Sequence, residues 1–354
     1  MRVLFISGSF LPDRCGVADY LWHLVDEMAA SADMEVAVLS SCPNPAGCSH
    51  HVRHFKGRDL VTIRDVAQAV REFSPDIVHI QYPTSRAVSR YIPLFVRRVL
   101  RTPVVQTWHE HYAECNQLGW RNLTGLDGLV HVREDLPRRL PPWLHKMLRN
   151  KSAYVPNAST IPAIRITDEQ RSAIRNGICG DRQLLTFFGF VNPNKGVDRL
   201  FQLTDPARHH LLLICDLDQS TDYRRQVQRL ASANSWHGHV TITGFLPPTE
   251  VGRLLAASDA IVFPFATGIG AWNTSVQAAL ASGSFVIGTS DKETGLGYDE
   301  SKNLSLVPCG DWQAFRAGLL AGLGRRREPE SSSGWSSIVR AHKEFYAELH
   351  GRRG

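Results

Sequence analysis

The stretch that decides the fold is residues 187–198, which read FFGFVNPNKGVD. It begins as an apolar β-strand, passes through a glycine-bearing loop that contains Lys195, and ends where a helix starts. In a parallel sheet covered by helices, such a loop lies at the carboxyl ends of the strands, where ligands bind. A lysine there can pair with phosphate while the helix N-terminus supplies N–H donors. The stretch therefore predicts a doubly wound α/β domain with an anion site.

Apolar, strand-like runs alternate with helical segments on both sides of this stretch, and the whole pattern occurs twice. We therefore predict an α/β fold with two Rossmann-like domains, residues 1–165 and 166–334, and a C-terminal helix within 335–354 that packs back toward the first domain. We expect the boundary in the segment 162–180, which lacks strong periodicity. The predicted strands are 3–7, 35–39, 77–81, 104–107 and 129–132 in the first half, and 184–188, 210–215, 240–243, 260–263 and 285–288 in the second.

The composition is that of a globular protein, since 43% of the residues are hydrophobic and 21% are charged. With 354 residues the chain is too long for a single core, which favours two domains. The seven cysteines are scattered without metal-ligand spacing, so we interpret them as reduced thiols and predict no metal site. The N-terminus forms a first strand without the apolar segment of a signal peptide. These features predict a cytoplasmic protein.

The net charge of +6 is partly concentrated in residues 86–101, which contain basic, apolar and aromatic residues but no acidic one. One interpretation is a basic amphipathic face that contacts an anionic membrane peripherally, at the inner membrane face. The other is a helix that packs its apolar side on the sheet and exposes its arginines. Pro93 would interrupt a continuous helical face. No zinc-finger or RNA-binding signature accompanies the charge, so we predict no nucleic-acid partner.

Two further loops have the pattern of anion sites. Gly16 and Val17 lie between the first predicted strand and a helix, where a glycine lets a phosphate approach the open N–H groups. A simple turn glycine is the alternative interpretation. In the second half, a loop with Gly268 and Gly270 enters a helix that we expect to be capped by Thr274 or Ser275. Each loop alone fits a structural role as well as a functional one.

Five blocks in this order cover nearly the whole chain: CGVADY at 15–20, FGFVNPNKGVD at 188–198, GFLPP at 244–248, ASDA at 257–260 and AALASG at 278–283. Together they resemble the signature blocks of the large retaining GT-B glycosyltransferase family, which includes sucrose synthases and many bacterial glycan and glycolipid mannosyl- and glucosyltransferases. The resemblance implies two Rossmann-like domains facing across a cleft. It also implies a nucleotide-diphosphate sugar as donor substrate and no separate cofactor.

The resemblance gives roles to residues of the predicted second domain. Lys195, with Asn194 beside it, matches the lysine that binds the donor diphosphate. The arginine usually found five residues earlier is Phe190 here, so one cation is missing. Phe245 and Leu246 fall where backbone groups of the family meet the nucleobase.

In the predicted first domain, Gly16 and Val17 match the family's glycine loop near the diphosphate and sugar. His109 follows a predicted strand at the position of a histidine that faces the donor sugar. A structural histidine at a strand end is the alternative interpretation for His109.

The main departure from the family pattern is the Glu-x7-Glu element, whose first glutamate contacts the donor sugar and whose second holds the ribose. Gly270 and Ala278 stand at these positions, and residues 264–278 contain no carboxylate. Residues 267–275 resemble a branch that reads Asp-Gly-x-Ser-x-Arg-Arg-Gly-Ser, with the aspartate and both arginines replaced. Donor handling is therefore expected to be unusual, or activity to be reduced.

The resulting hypothesis is a retaining glycosyltransferase in which Lys195 and the helix starts at Gly16 and Ser275 stabilise the leaving diphosphate. The acceptor would be a glycan, a glycolipid or a small molecule. Two alternatives stay open. One is a non-catalytic GT-B partner protein that has lost the donor-site carboxylates. The other is a GT-B enzyme of another class, a nucleotide-sugar epimerase or a pseudo-glycosyltransferase.

Overall fold

In the computed structural model the chain forms two compact units, each built around one parallel sheet. Unit 1 is Met1–Asn157 together with Gly334–Gly354, and unit 2 is Ala158–Ser333. The division between them thus falls at 157, before the position 165 predicted from the sequence. The structure describes residues 1–13, 15–42, 51–55, 60–82, 92–109, 126–136, 140–291, 294, 298, 303–330 and 334–351.

The sheet of unit 1 has the strand order β3-β2-β1-β4-β5-β6-β7, and that of unit 2 has the order β10-β9-β8-β11-β12-β13. The order reverses between β1 and β4 in unit 1 and between β8 and β11 in unit 2. The loops after those strands therefore flank the point where such sheets bind ligands. The strands are β1 (Arg2–Ser7), β2 (Glu35–Ser40), β3 (His51–His54), β4 (Ile77–Tyr82), β5 (Val104–Trp108), β6 (Gly128–His131), β7 (Ser152–Tyr154), β8 (Gln183–Phe188), β9 (His209–Ile214), β10 (Val240–Ile242), β11 (Ala260–Phe263), β12 (Val286–Ser290) and β13 (Leu304–Pro308).

Helices cover the sheets in the alternation that the sequence predicts. They are α1 (Gly16–Ala29), α2 (Leu60–Phe73), α3 (Ile92–Phe95) with a π-helical turn (Val96–Leu100), α4 (Pro142–Leu148), α5 (Asp168–Ile178), α6 (Val197–Leu203), α7 (Asp222–Ala231), α8 (Pro248–Ala257), α9 (Thr274–Ala281), α10 (Trp312–Gly322) and α11 (Trp335–Gly351).

All ten predicted strands are present within a few residues of their expected ends, while β3, β7 and β13 were not predicted. Two of these three strands have only three or four residues, and all three lie at or next to the end of a sheet in the order. An edge strand needs no long apolar run, because one of its sides lacks a neighbouring strand. This explains why hydrophobic patterning alone missed them.

The segment 162–180, in which we expected the domain boundary, contains the helix α5. No residue of the helix is fully buried, and only Ile174 and Ile178, both half-buried, pack against the core, so its apolar pattern is weak. Instead it starts with a capping box formed by Thr167 and Gln170. Arg171 and Arg175 of this helix form ion pairs with Asp259, with N···O distances of 2.6 and 2.7 Å.

The C-terminal helix α11 belongs to unit 1, where it packs on α1 and on the sheet. The side chains of Phe345 and Leu349 lie directly over Gly128 in β6, since a Cβ there would be 2.8 Å from each. His342 and Tyr346 on the same helix are fully buried. The helix therefore forms part of the core of unit 1.

The basic segment is described from residue 92 onward, and its earlier residues lie outside the described part. Ile92 and Val96 are buried in the core, whereas Arg98 and Val99 are exposed. Arg97 forms an ion pair with Asp127 at 3.3 Å. The segment thus packs one apolar side on the sheet and presents a basic side. Within the described residues, no helix has the length and apolar composition that crossing a bilayer requires.

Candidate functional site

Lys195 lies in a tight turn (Pro193–Lys195) between β8 and α6. The turn packs closely against the end of β11. Gly196 has a φ of 60°, and a Cβ added to it would lie only 2.1 Å from the carbonyl oxygen of Pro264. Only glycine fits this conformation and this contact. The Lys195 ammonium lies 3.7 Å from the ring centre of Phe265, a cation–π contact that holds it at the switch point of the sheet.

The loop after β11 is joined to this turn by hydrogen bonds to Asn194. The Asn194 carbonyl accepts from the Ala266 amide at 2.8 Å, and its side-chain oxygen accepts from the Thr267 hydroxyl at 2.9 Å. Gly268, the next residue, is buried. The structure therefore brings together two loops that are about 70 residues apart in sequence and that the motifs assigned to the same ligand.

The start of α9 differs from the prediction that Thr274 or Ser275 caps the helix. Asn273 is the N-cap residue, and Thr274 and Ser275 are the first two helical residues. The Asn273 side chain accepts from the Gly270 amide at 2.9 Å and does not turn toward the helix. Among the described residues no side chain caps α9. Its first N–H groups therefore keep their capacity to bind an anion.

This open helix start lies close to the loop that carries Lys195. A Cβ on Gly189, just after β8, would lie 3.6 Å from the Ser275 hydroxyl oxygen. In unit 2 the loops that carry Asn194, Lys195, Gly268 and Ser275 thus meet at one end of the sheet. A flexible cation and a positive helix end together suit a phosphate group.

Phe245 and Leu246 follow β10 at the same end of the sheet. Leu246 is half-buried against the core, while Phe245 is 45% exposed. The Phe245 ring packs edge-on against Phe190 with 6.4 Å between centroids, and Phe190 is itself 40% exposed. The residue that replaces the family arginine therefore belongs to an exposed aromatic pair. The sequence showed the missing cation but not this pairing, because the two residues lie far apart in the chain.

In unit 1, the loop after β1 leads into α1, with Cys15 as N-cap and its sulfur accepting from the Ala18 amide at 3.4 Å. Gly16 is exposed, and a Cβ there would meet no heavy atom of the described residues within 4 Å. Val17 is half-buried. Protein packing therefore does not require a glycine at 16, which leaves space for a ligand. Asp19 in the same helical turn favours the helix but opposes an anion.

His109 comes directly after β5 and is 8% exposed. Its Nε2 donates to the side-chain oxygen of Gln81 at 2.7 Å, which leaves Nδ1 as the acceptor of the neutral ring. Burial, helped by repulsion from His342, lowers the pKa of His109 to about 3. At neutral pH this side chain is uncharged and suited to hydrogen bonding with a hydroxyl group.

His109 belongs to a buried polar cluster that the sequence analysis missed. Tyr20 packs edge-on against it at 4.7 Å and is hydrogen-bonded through its hydroxyl to His342 Nε2 at 3.4 Å. In the same core, His79 is hydrogen-bonded to the Tyr346 hydroxyl and, at 2.7 Å, to Thr107. The sequence does contain a signal for this cluster. His79 stands inside an apolar strand, and His342 lies on the apolar face of the last helix.

Burial sets the charge state of this cluster. It lowers the pKa of His342 to about 4 and that of His79 well below the ordinary value. Burial also raises the pKa values of Tyr20 and Tyr346. All four side chains are therefore neutral at neutral pH. Within the described ranges, no three His, Cys, Asp or Glu side chains are grouped to hold a metal ion.

Family models match both units of the chain. Residues 15–157 match a glycosyl transferase 4-like domain, and residues 182–324 match the glycosyl transferases group 1. A GDP-mannose-dependent alpha-mannosyltransferase of Mycolicibacterium smegmatis is 25% identical over 318 residues, which cover 81% of this chain and 79% of that protein.

Solved structures show the same fold. Sucrose-phosphate synthase from Thermosynechococcus elongatus superposes with a TM-score of 0.73 at 16% identity, covering 98% of this chain and 94% of that one. The Anabaena protein HepE, in complex with UDP-glucose, gives a TM-score of 0.72 at 14% identity, covering 99% and 100%. These similarities confirm the predicted two-domain, Rossmann-like architecture.

Proposed function

Because the chain belongs to the glycosyltransferases with the GT-B fold, enzymes that use nucleotide-sugar donors, we propose that it is a retaining transferase acting on a glycan or glycolipid acceptor. The observation that carries the proposal is the meeting of the loop that contains Lys195 with the open start of α9, at the switch point of the second sheet. We propose that the donor diphosphate binds there.

The chemistry follows from where charge develops. When the bond between the sugar and the diphosphate breaks, negative charge grows on the leaving oxygen. The Lys195 ammonium and the N–H groups at Thr274 and Ser275 stabilise that charge, which lowers the barrier without a metal ion. For His109, which is neutral and hydrogen-bonded to Gln81, we propose the role that the resemblance implies, a contact with the transferred sugar.

The acceptor side of the proposal is supported by the basic surface of unit 1. The exposed Arg98 and Val99 lie beside the half-buried Arg97, and α4 exposes Trp143 and Lys146. The apolar sides of both segments belong to the same core cluster. Exposed aromatic and basic side chains together suit an anionic membrane surface, where a lipid-linked acceptor would be found. We propose that the enzyme is cytoplasmic and that this surface contacts the inner membrane face peripherally.

A donor screen tests the proposed reaction. The protein is incubated with UDP-glucose, GDP-mannose and ADP-glucose, with and without a lipid extract as acceptor. Release of nucleoside diphosphate and NMR of the anomeric configuration of the product are measured. We expect acceptor-dependent release with one donor and a product of unchanged configuration. Binding without release would favour a non-catalytic protein, and an epimerised donor or a non-glycosidic product would favour another GT-B class.

Vesicle co-sedimentation tests the membrane contact separately. We expect binding to anionic vesicles that fades with salt and is reduced when Arg97 and Arg98 become glutamine, at about 1 kcal/mol per basic residue near the surface. Changing the exposed Arg225 and Arg229 of unit 2 to glutamine is the matched control. Absence of sedimentation at low salt would instead favour a water-soluble acceptor.

A further inference from the structure

The loop before α9 contains an aromatic contact that the family resemblance does not account for. A Cβ on Gly270 would lie 2.1 Å from Cη2 of Trp272 and 2.3 Å from its Cζ2 and Cζ3. The six-membered ring of the indole therefore lies directly on the backbone of Gly270. A larger residue at 270 would have to displace it.

This indole is held on a fixed turn. The Gly270 amide donates to Asn273 Oδ1 at 2.9 Å, and the Asn273 amide donates to the Gly270 carbonyl at 2.8 Å. The same carbonyl accepts from the Tyr298 hydroxyl at 2.7 Å, and the Ala271 carbonyl accepts from Gln277 at 2.6 Å. With its backbone fixed in this way, the turn presents the Trp272 ring, which is half-buried, in one place.

The turn leads straight into the helix start where we place the diphosphate. Trp272 precedes Thr274, the first residue of α9, by two positions. A planar aromatic ring beside a phosphate site can pack against the C–H groups of a sugar joined to that phosphate. No carboxylate is present in residues 264–278 to bind the sugar by hydrogen bonds, so this face is what the loop offers.

We propose that Trp272 is a donor-sugar platform, and that the indole occupies the space over Gly270 that a carboxylate-bearing side chain would otherwise use. The inference rests on the proposed donor site in unit 2. An aromatic face packs against the apolar side of a sugar ring and forms no hydrogen bonds with its individual hydroxyl groups. The platform therefore sets sugar specificity by shape, where a carboxylate would set it by hydrogen bonding.

Calorimetry with matched ligand pairs tests the platform. UDP is compared with UDP-glucose and GDP with GDP-mannose, on the wild type and on Trp272→Ala, Trp272→Phe and Gly270→Ala. We expect Trp272→Ala to weaken binding of the nucleotide sugar about tenfold, the scale of an aromatic contact, and that of the nucleoside diphosphate less than about twofold. Trp272→Phe should recover most of the loss. Melting temperatures establish that the variants are folded.

The variant Gly270→Ala is an independent test of the platform, because its methyl group displaces the indole without removing it. We expect the same selective loss for the sugar-bearing ligand, and no further loss when Gly270→Ala is combined with Trp272→Ala. Equal loss for diphosphate and sugar, or no loss for either, would show that Trp272 is not a sugar platform while leaving the diphosphate site intact. A wild type that binds none of these four ligands, and neither ADP nor ADP-glucose, would overturn the proposed function itself.

Discussion

The regions around His109 and Lys195 differ in how far the protein itself provides partners for their polar groups. His109 lies in a buried cluster whose titratable side chains are kept neutral by burial. His109 is hydrogen-bonded to Gln81, and Tyr20 to His342. Lys195 lies on a tight turn beside an uncapped helix, with the exposed Asn194 next to it. Most polar groups of the first region are hydrogen-bonded within the protein, whereas the second has a charge and N–H groups that an anionic ligand can satisfy.

This difference helps to distinguish residues that stabilise the fold from residues that bind a ligand. A buried, neutral, hydrogen-bonded cluster contributes to stability and fixes the orientation of its members. A lysine on a turn at the switch point of a sheet contributes little to stability and much to ligand affinity. Substitutions in the two regions should therefore affect different measurements.

The largest expected effect is on stability in unit 1. Tyr346→Ala removes a fully buried ring and the hydroxyl partner of His79, so we expect a loss of about 3–5 kcal/mol in the free energy of unfolding. Phe245→Ala in unit 2 removes a ring that is 45% exposed and should cost far less. Urea denaturation of both variants measures the contrast. Similar losses would remove the distinction between the two regions.

Acid should destabilise the buried cluster. The folded-state pKa of His342 is about 4 against 6.5 for an unperturbed histidine, so the unfolded chain binds more protons between these values. Stability is thus full above about pH 6.5 and falls as the pH drops toward 4, by about 1.4 kcal/mol per pKa unit for each such histidine. We expect His342→Gln, which cannot titrate, to flatten the decline in melting temperature. An unchanged pH dependence would contradict a neutral, buried His342.

In unit 2 the expected effect is on binding. Lys195→Ala should weaken the binding of a nucleoside diphosphate by roughly 2–3 kcal/mol, the scale of a charge-assisted contact, with little change in melting temperature. Lys343→Ala is the matched control, because that lysine forms an exposed ion pair with Asp33 in unit 1. Calorimetric titration measures both. Unchanged affinity in Lys195→Ala would remove this lysine from the donor site.

A smaller, more selective effect is expected for His109. His109→Ala should lower kcat by about tenfold or more while leaving nucleotide affinity near the wild-type value, because the proposed contact is with the sugar. His23→Ala, a less buried histidine on α1, serves as control. Wild-type turnover in a folded His109→Ala protein would leave only the structural interpretation of His109.

The sequence predicted the central strands and the glycine-bearing loops that follow them, because each depends on local pattern. Residues 187–198 show an apolar strand, a glycine and a lysine in one continuous run. What the sequence did not predict depends on contacts between distant residues. The Phe190–Phe245 pair, the packing of Trp272 on Gly270 and the hydrogen bond between Tyr20 and His342 arise only in the folded chain. The sequence did not predict Asn273 at the N-cap position, and its side chain turns back to Gly270 and leaves the helix uncapped.

Hydrogen exchange with and without a nucleoside diphosphate tests the central claim most directly, that unit 2 binds the donor diphosphate through the Lys195 turn and the open start of α9. Saturating UDP or GDP should slow the exchange of backbone amides most strongly in residues 189–196 and 268–276. Amides of β5, next to His109, should change less. Protection confined to unit 1, or no protection in either segment at ligand saturation, would contradict the account.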